Sequence, residues 1–248
     1  MKRIITGFFM SWGMFFSVPC PVRMWDEGAK LLSVVMLPFI GAVIGAVWGL
    51  CGFLLDLIGA PLLLTAAAMA VMPYLLSGFI HLDGFMDCCD AILSRRDLAE
   101  RQRILKDSHT GAFAVICVCI LMMFGFALFA GRSSEVNVWA LIFVSACARC
   151  ASAISVLSFK PIGHSGYAGA YEGKKSGCRV AAWIILAAAA VLPVAVFGLS
   201  GLCVPAAAAG AFLAILYGRH ELGGMSGDIS GYGITIGEIC GAAVLLII

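Results

Sequence analysis

Three aspartates, Asp83, Asp87 and Asp90, stand within eight residues of the stretch HLDGFMDCCD at 81–90, at the end of a hydrophobic run. At about 100° per residue their positions fall within an arc of about 60° on one face of a helix. Carboxylates that close repel one another unless a cation neutralises them. Hard oxygen ligands select Mg²⁺, Mn²⁺ or Ca²⁺ rather than zinc, and Mg²⁺ keeps coordination positions for phosphate oxygens. A metal–diphosphate site is the economical reading, with Asp83, Asp87 and Asp90 as ligands. The plain alternative is a set of solvated acids on a loop leaving a membrane. It suits one aspartate better than three on a single face next to Gly84.

Two further segments carry chemistry-bearing residues. In RILKDSHTGAF, at 103–113, Asp107, Ser108 and Gly111 stand at the start of a second apolar run. A helix N-terminus with free amides beside a small glycine turn suits an anion. Arg101, Arg103 and Lys106 add positive charge for phosphate groups. Alone, the segment reads equally as an ordinary helix start capped by Asp107 or Ser108. In GGMSGD, at 223–228, Gly224 and Gly227 let backbone approach a ligand closely, and Asp228 can complete a metal shell. Alone, that segment is better read as a hinge with a capping aspartate. His81 lies nearly opposite the aspartate face, which makes it a substrate contact rather than a base. His109 and His164 read as solvated loop histidines. PIGHSGYAGAYEGKK, at 161–175, is either a cover for a nucleotide or ring or a plain loop.

The elements that must position these residues follow from composition. The chain has 248 residues, 62% of them hydrophobic and 12% charged, with a mean hydropathy of +1.04. Ordinary soluble domains carry about twice that charged fraction, and a soluble fold of this size cannot hide so much apolar surface. The fold class is an all-α polytopic membrane protein. The net charge of +2 gives no sign of a nucleic-acid partner. Most of the eleven cysteines lie in apolar runs and act as small hydrophobes. No clear small-residue cleavage site follows Lys2 and Arg3, so a cleaved signal peptide is not expected.

A hydrocarbon core of about 30 Å takes about 20 apolar residues per helix. The runs 31–57, 61–80, 113–130, 136–159, 180–199, 202–217 and 232–248 supply about seven spans in one domain. The aromatic-rich stretch 4–18 lies in the interface, re-enters or adds a span. With seven spans, one side receives every basic residue of the 16 except Arg132 and Arg149. The positive-inside rule makes that side cytoplasmic. Loops 81–112, 160–179 and 218–231 then open on that face. Arg149 falls within the fourth span, where it marks a functional site by default or pairs with Glu135 or another acid. The alanine-rich stretches at 187–190 and 206–210 permit close helix packing, and with it a homo-oligomer.

Taken together, the motifs resemble those of the adenosylcobinamide-GDP ribazoletransferase family, also called cobalamin synthase. A GLHLDGLADTADA-like segment corresponds to SGFIHLDGFMDCCDAI at 77–92, a KDSxxGxFG-like segment to KDSHTGAFA at 106–114, and a GGxTGD-like segment to GGMSGD. Motif order, length and span number also fit, so the resemblance covers nearly the whole chain. Phe79 and Ile80, the Cys88–Cys89 pair, Ala114 and Ser226 depart from the family pattern. FFSVPCPV at 15–22 lacks the arginine of the family's FLTRIPVP-like start. No carboxylate is affected.

The resemblance implies a Mg²⁺-dependent enzyme of the cytoplasmic (inner) membrane. Such enzymes join α-ribazole, or its 5′-phosphate, to adenosylcobinamide-GDP, giving adenosylcobalamin or its 5′-phosphate and releasing GMP. Association with other enzymes of cobalamin assembly fits that setting. Asp83, Asp87 and Asp90 would hold the metal on the diphosphate, with Asp107 or Asp228 completing the shell. By analogy with other membrane alcohol phosphotransferases, Asp90 would take the hydroxyl proton. A CDP-alcohol phosphotransferase of lipid synthesis is the nearest rival, but its signature has an Ala-Arg pair after Asp-Gly, where this chain has Phe85-Met86. A cation transporter would place acids near the bilayer midplane, whereas these cluster at one face.

Overall fold

In a computed structural model, described here for residues 2–133, 135–163 and 175–248, the regular elements are all helices. They are α1 (Lys2–Phe15), α2 (Lys30–Leu57), α3 (Leu62–Leu76), α4 (Ile80–Leu93), α5 (Leu98–Ile104), α6 (Ala112–Ala130), α7 (Leu141–Ser158), α8 (Lys175–Phe197), α9 (Cys203–Leu222) and α10 (Gly227–Ile247). Short 3-10 turns precede α2 and α7 and join α8 to α9. The β pairing among the described residues is an isolated bridge from Pro161 to Met225.

Helix α7 is the hub. Nearly all its residues are buried, and α2, α8, α9 and α10 pack around it. Two glycine stripes at four-residue spacing allow this. Gly41, Gly45 and Gly49 of α2 lie against the backbone of α7 and the turn before it. Gly233, Gly237 and Gly241 of α10 lie against α9 and, at Gly237 and Gly241, also against α7. Small residues at this spacing let helix backbones approach where lipid gives no hydrophobic push between helices. Large apolar side chains point outward instead, among them Leu63, Ile120, Met123, Ile184, Val191 and Leu213, as a bilayer requires.

Among the described residues, five helical stretches are long and apolar enough to cross a membrane, or six if the bent pair α3–α4 counts as one. The stretch Ser176–Leu222 turns back at its 3-10 segment, which brings Trp183 of α8 onto Phe212 of α9 with ring centroids 5.8 Å apart. At 14 residues, α1 reaches only about 21 Å, and it lies along α2.

The expected span 61–80 needs correction. Helix α3 stops at Leu76, and α4 sets off at 92° to it. Gly78 and Phe79 both take the left-handed conformation, with φ of 62°, which costs Phe79 about 1–2 kcal/mol. The corner is pinned from several sides. The Ser77 hydroxyl donates to the Pro73 carbonyl at 2.9 Å. The Phe79 amide donates to Tyr74, and the Ser17 amide to Leu76, both at 2.8 Å. The aspartates therefore ride on a separate helix rather than on the extension of a span. The last helix also begins earlier than expected, at Gly227, and includes Asp228.

Arg149 pairs with Glu238 of α10, not with Glu135. Its Nη1 donates to Glu238 Oε1 at 2.5 Å, and the Ser145 hydroxyl donates to the same oxygen at 2.8 Å. Both charged residues are buried, so the pair ties α7 to α10 inside the bundle. A charge there is tolerable only with its partner in place.

Candidate active site

The site is built on the seam between α4 and the first half of α10. The two helices run antiparallel, with residue 84 facing 228 and residue 81 facing 231. A Cβ added at Gly84 would lie 2.7 Å from the Asp228 carbonyl oxygen, and one at Gly231 would lie 2.9 Å from the His81 carbonyl oxygen. The Thr235 hydroxyl donates to that same His81 carbonyl at 3.2 Å, and the rings of Phe85 and Tyr232 stack at 5.8 Å. Side chains of any size at 84 and 231 would hold the helices apart. Glycine there puts the acid face of α4 beside the first turn of α10.

That first turn carries Asp228. Ser226, not the aspartate, caps α10: its hydroxyl accepts from the Ile229 amide at 3.2 Å and donates to Asp228 Oδ2 at 3.3 Å. Asp83 is exposed, while Asp87, Asp90 and Asp228 are half-buried. The charged neighbours of Asp87 are Asp83, Asp228 and Asp90. Four carboxylates from two helices thus share one region. On the far side, Gly111, the N-cap of α6, touches the carboxylate of Asp90 so closely that any Cβ there would overlap it. No side chain caps α6, so the positive end of that helix opens beside Asp90.

All four acids offer hard oxygen donors, the chemistry a Mg²⁺-type ion takes. Among the described residues no three metal-binding side chains already converge on one point. Mg²⁺ is usually held by one or two carboxylates and completes its octahedron with phosphate oxygens and water. Acids spread over α4 and α10 suit such a partial shell better than a closed protein cage.

Next to the acids lies a cavity of about 270 Å³, bounded by Phe15, Val34, Leu37, Ile80, Val156 and Phe159 among apolar residues and by His81, Asp83, Ser226 and Asp228 among polar ones. His81 and Asp83 border the same space although they project from different sides of α4. His81 is buried, and the ring of Phe15 stacks nearly parallel to it at 5.8 Å.

The other expected contacts are arranged differently. Arg101 is paired with Glu221 of α9, and Arg103 with Glu100 one turn away at 2.7 Å. Both guanidinium groups are thus engaged with protein acids. Lys106 and Ser108 are exposed. Asp107 is held within its own loop by His109, whose ring nitrogen lies 2.6 Å away and whose amide donates at 3.0 Å. These bonds keep the Asp107 carboxyl below the usual carboxylate range. Gly224 packs on Pro161 and Ile162, where the Met225 and Ile162 amides bridge the two segments, and Gly227 borders the cavity. His164 and most of the loop at 161–175 fall outside the described residues. Sequence reasoning missed Phe15 and Gly231; the glycine periodicity of 227–241 was the signal for the latter.

The family model described as Cobalamin-5-phosphate synthase matches residues 7–246. A protein of Clostridium perfringens (strain 13 / Type A) named adenosylcobinamide-GDP ribazoletransferase is 36% identical over 251 aligned residues, covering all of both chains. Proteins of the same name from Clostridium botulinum (strain Alaska E43 / Type E3) and Lachnoclostridium phytofermentans are 36% and 29% identical. The first alignment covers 97% of both chains, the second 98% of this chain and 94% of the relative. No solved structure matches.

Proposed function

Because the chain belongs to the cobalamin-5-phosphate synthase family, we propose that it transfers the adenosylcobinamide-phosphate group of adenosylcobinamide-GDP to α-ribazole or α-ribazole 5′-phosphate. The products are adenosylcobalamin or its 5′-phosphate and GMP. The observation that carries the reading is the meeting of three separate segments at one place: Asp83, Asp87 and Asp90 on α4, Gly111 at the start of α6, and Asp228 at the start of α10.

Asp83, Asp87 and Asp90, with Asp228, would hold Mg²⁺ against the diphosphate. The bound ion supplies charge neutralisation on the diphosphate and on the departing GMP. The open amides of α6 receive phosphate oxygens. The ribose 3′-hydroxyl of the acceptor attacks the phosphorus that carries cobinamide, and the bond from that phosphorus to the GMP oxygen breaks. Asp90, next to Gly111, takes the hydroxyl proton. The excess of basic residues in the loops on this face supports a cytoplasmic orientation of the site, with the helices in the inner membrane.

The test is turnover by purified protein in liposomes with adenosylcobinamide-GDP, α-ribazole and Mg²⁺. Adenosylcobalamin and GMP in equal amounts, both abolished by EDTA, are expected. Folded protein that makes neither, with α-ribazole 5′-phosphate tried as well, overturns the reading.

A further inference from the structure

The face of α4 turned away from the acids borders a second depression, an open groove of about 390 Å³. At about 100° per residue, Phe85, Cys89 and Ile92 lie nearly opposite Asp83, Asp87 and Asp90. They form one wall of the groove, and α6 and α10 supply the others. Among the described residues no lining side chain carries a charge, so water finds few partners there. An empty groove would forfeit dispersion contacts along every wall. Its open side faces outward, since Ile120 is 60% and Phe124 49% exposed on the flank of α6. In a bilayer that flank meets hydrocarbon chains.

One end of the groove is marked by charge. Leu93, the last residue of α4, borders the groove, and the exposed Arg95 and Arg96 follow within three residues. The turn that presents them is fixed. The Ser94 hydroxyl donates to the Ala91 carbonyl at 2.7 Å and accepts from the Arg96 amide at 3.4 Å. The nearby acids are already engaged. Asp97 caps α5 through the Glu100 amide at 2.9 Å, and Glu100 holds Arg103 at 2.7 Å while also feeling Arg96. Among the described residues Arg95 has no acid partner.

We infer that this groove binds one anionic phospholipid from the leaflet on the acid side of the bilayer. An acyl chain lies along α6 and α10 against Phe85 and Cys89, and the phosphate sits at Arg95 and Arg96. Apolar walls open to the bilayer suit a chain, and two arginines at the polar end favour a net negative headgroup over a zwitterionic one. The inference is independent of the transfer reading. Its consequence is mechanical: the chain ties α4 to α6 from the face away from the acids. These are the two helices that meet at Asp90 and Gly111.

The test uses the full-length protein in phosphatidylcholine nanodiscs with a trace of phosphatidylglycerol that carries a photoactivatable group on its acyl chain. Cross-links should concentrate on the parts of α4, α6 and α10 that line the groove. Unlabelled phosphatidylglycerol should displace the probe at least about ten-fold better than phosphatidylcholine does. The double variant Arg95→Gln, Arg96→Gln should lose most of that advantage. Cys117→Trp, which fills the groove and leaves both arginines in place, should lower labelling of the groove itself. Cross-links spread evenly over the outward faces of α6, α8 and α9 overturn the inference. So does equal competition by the two lipids, or an unchanged advantage in the double arginine variant. Should a variant fail to insert, the competition on wild type decides alone. Cross-links from Ile120 to a second copy of the chain that persist in excess phosphatidylglycerol would give the groove to a dimer and likewise overturn the lipid site.

Discussion

Gly84 lies directly against the backbone of Asp228, with room for no side chain between the two helices that carry them. The contact joins residues 144 positions apart, and it sets the separation of the carboxylates on α4 from the one on α10. Gly84→Ala places a methyl 2.7 Å from the Asp228 carbonyl oxygen, so α4 must shift. The expected result is a loss of about 1–3 kcal/mol of stability and at least about a ten-fold drop in kcat, since small misplacements of catalytic groups are costly. Gly227→Ala meets nothing within 4 Å and is the control for stability. Thermal unfolding in detergent, followed by turnover on the folded fraction, separates the two effects. Equal melting curves for the two variants would show that the seam tolerates a side chain.

Asp87 is the acid with the other three carboxylates as neighbours. Asp87→Asn keeps the shape of the side chain and removes its charge. Turnover should fall by about a hundred-fold or more, with membrane insertion intact. Near-normal activity of well-folded Asp87→Asn would remove the carboxylates from the mechanism.

The contact between Gly111 and Asp90 calls for a double-mutant cycle. Gly111→Ala drives a methyl into the Asp90 carboxylate and should destabilise the protein by about 1–3 kcal/mol. In an Asp90→Ala background the clash disappears, so the second substitution should cost much less. Additive losses in unfolding experiments would mean that the two residues do not touch.

Removal of one partner from the Arg149–Glu238 pair leaves a buried charge without compensation. Arg149→Met should cost roughly 3–5 kcal/mol, and adding Glu238→Gln should restore much of it. Reversible unfolding in mixed micelles of wild type, both single variants and the double variant provides the check. A single variant as stable as wild type would mean that water reaches the pair.

The membrane class and most of the helices were legible in the amino-acid order alone, because runs of about 20 apolar residues are local properties. That order also determined that Asp83, Asp87 and Asp90 share one helical face, since four- and three-residue steps stay on one side of any α-helix. Packing set the end of α3 at Leu76 and the 92° at which α4 leaves it. Two consecutive left-handed residues make that corner, and Phe79 is not a residue that announces one. The tertiary structure also decided which charges meet. Arg101 and Arg103 find Glu221 and Glu100, and Arg149 finds Glu238. Spacing cannot say which acid from a distant helix fills the neighbouring groove. The close approaches of Gly84 to Asp228 and of Gly231 to His81 depend on small residues lining up across two helices once both are packed. A sequence carries the small residues; packing alone decides which backbones they let in.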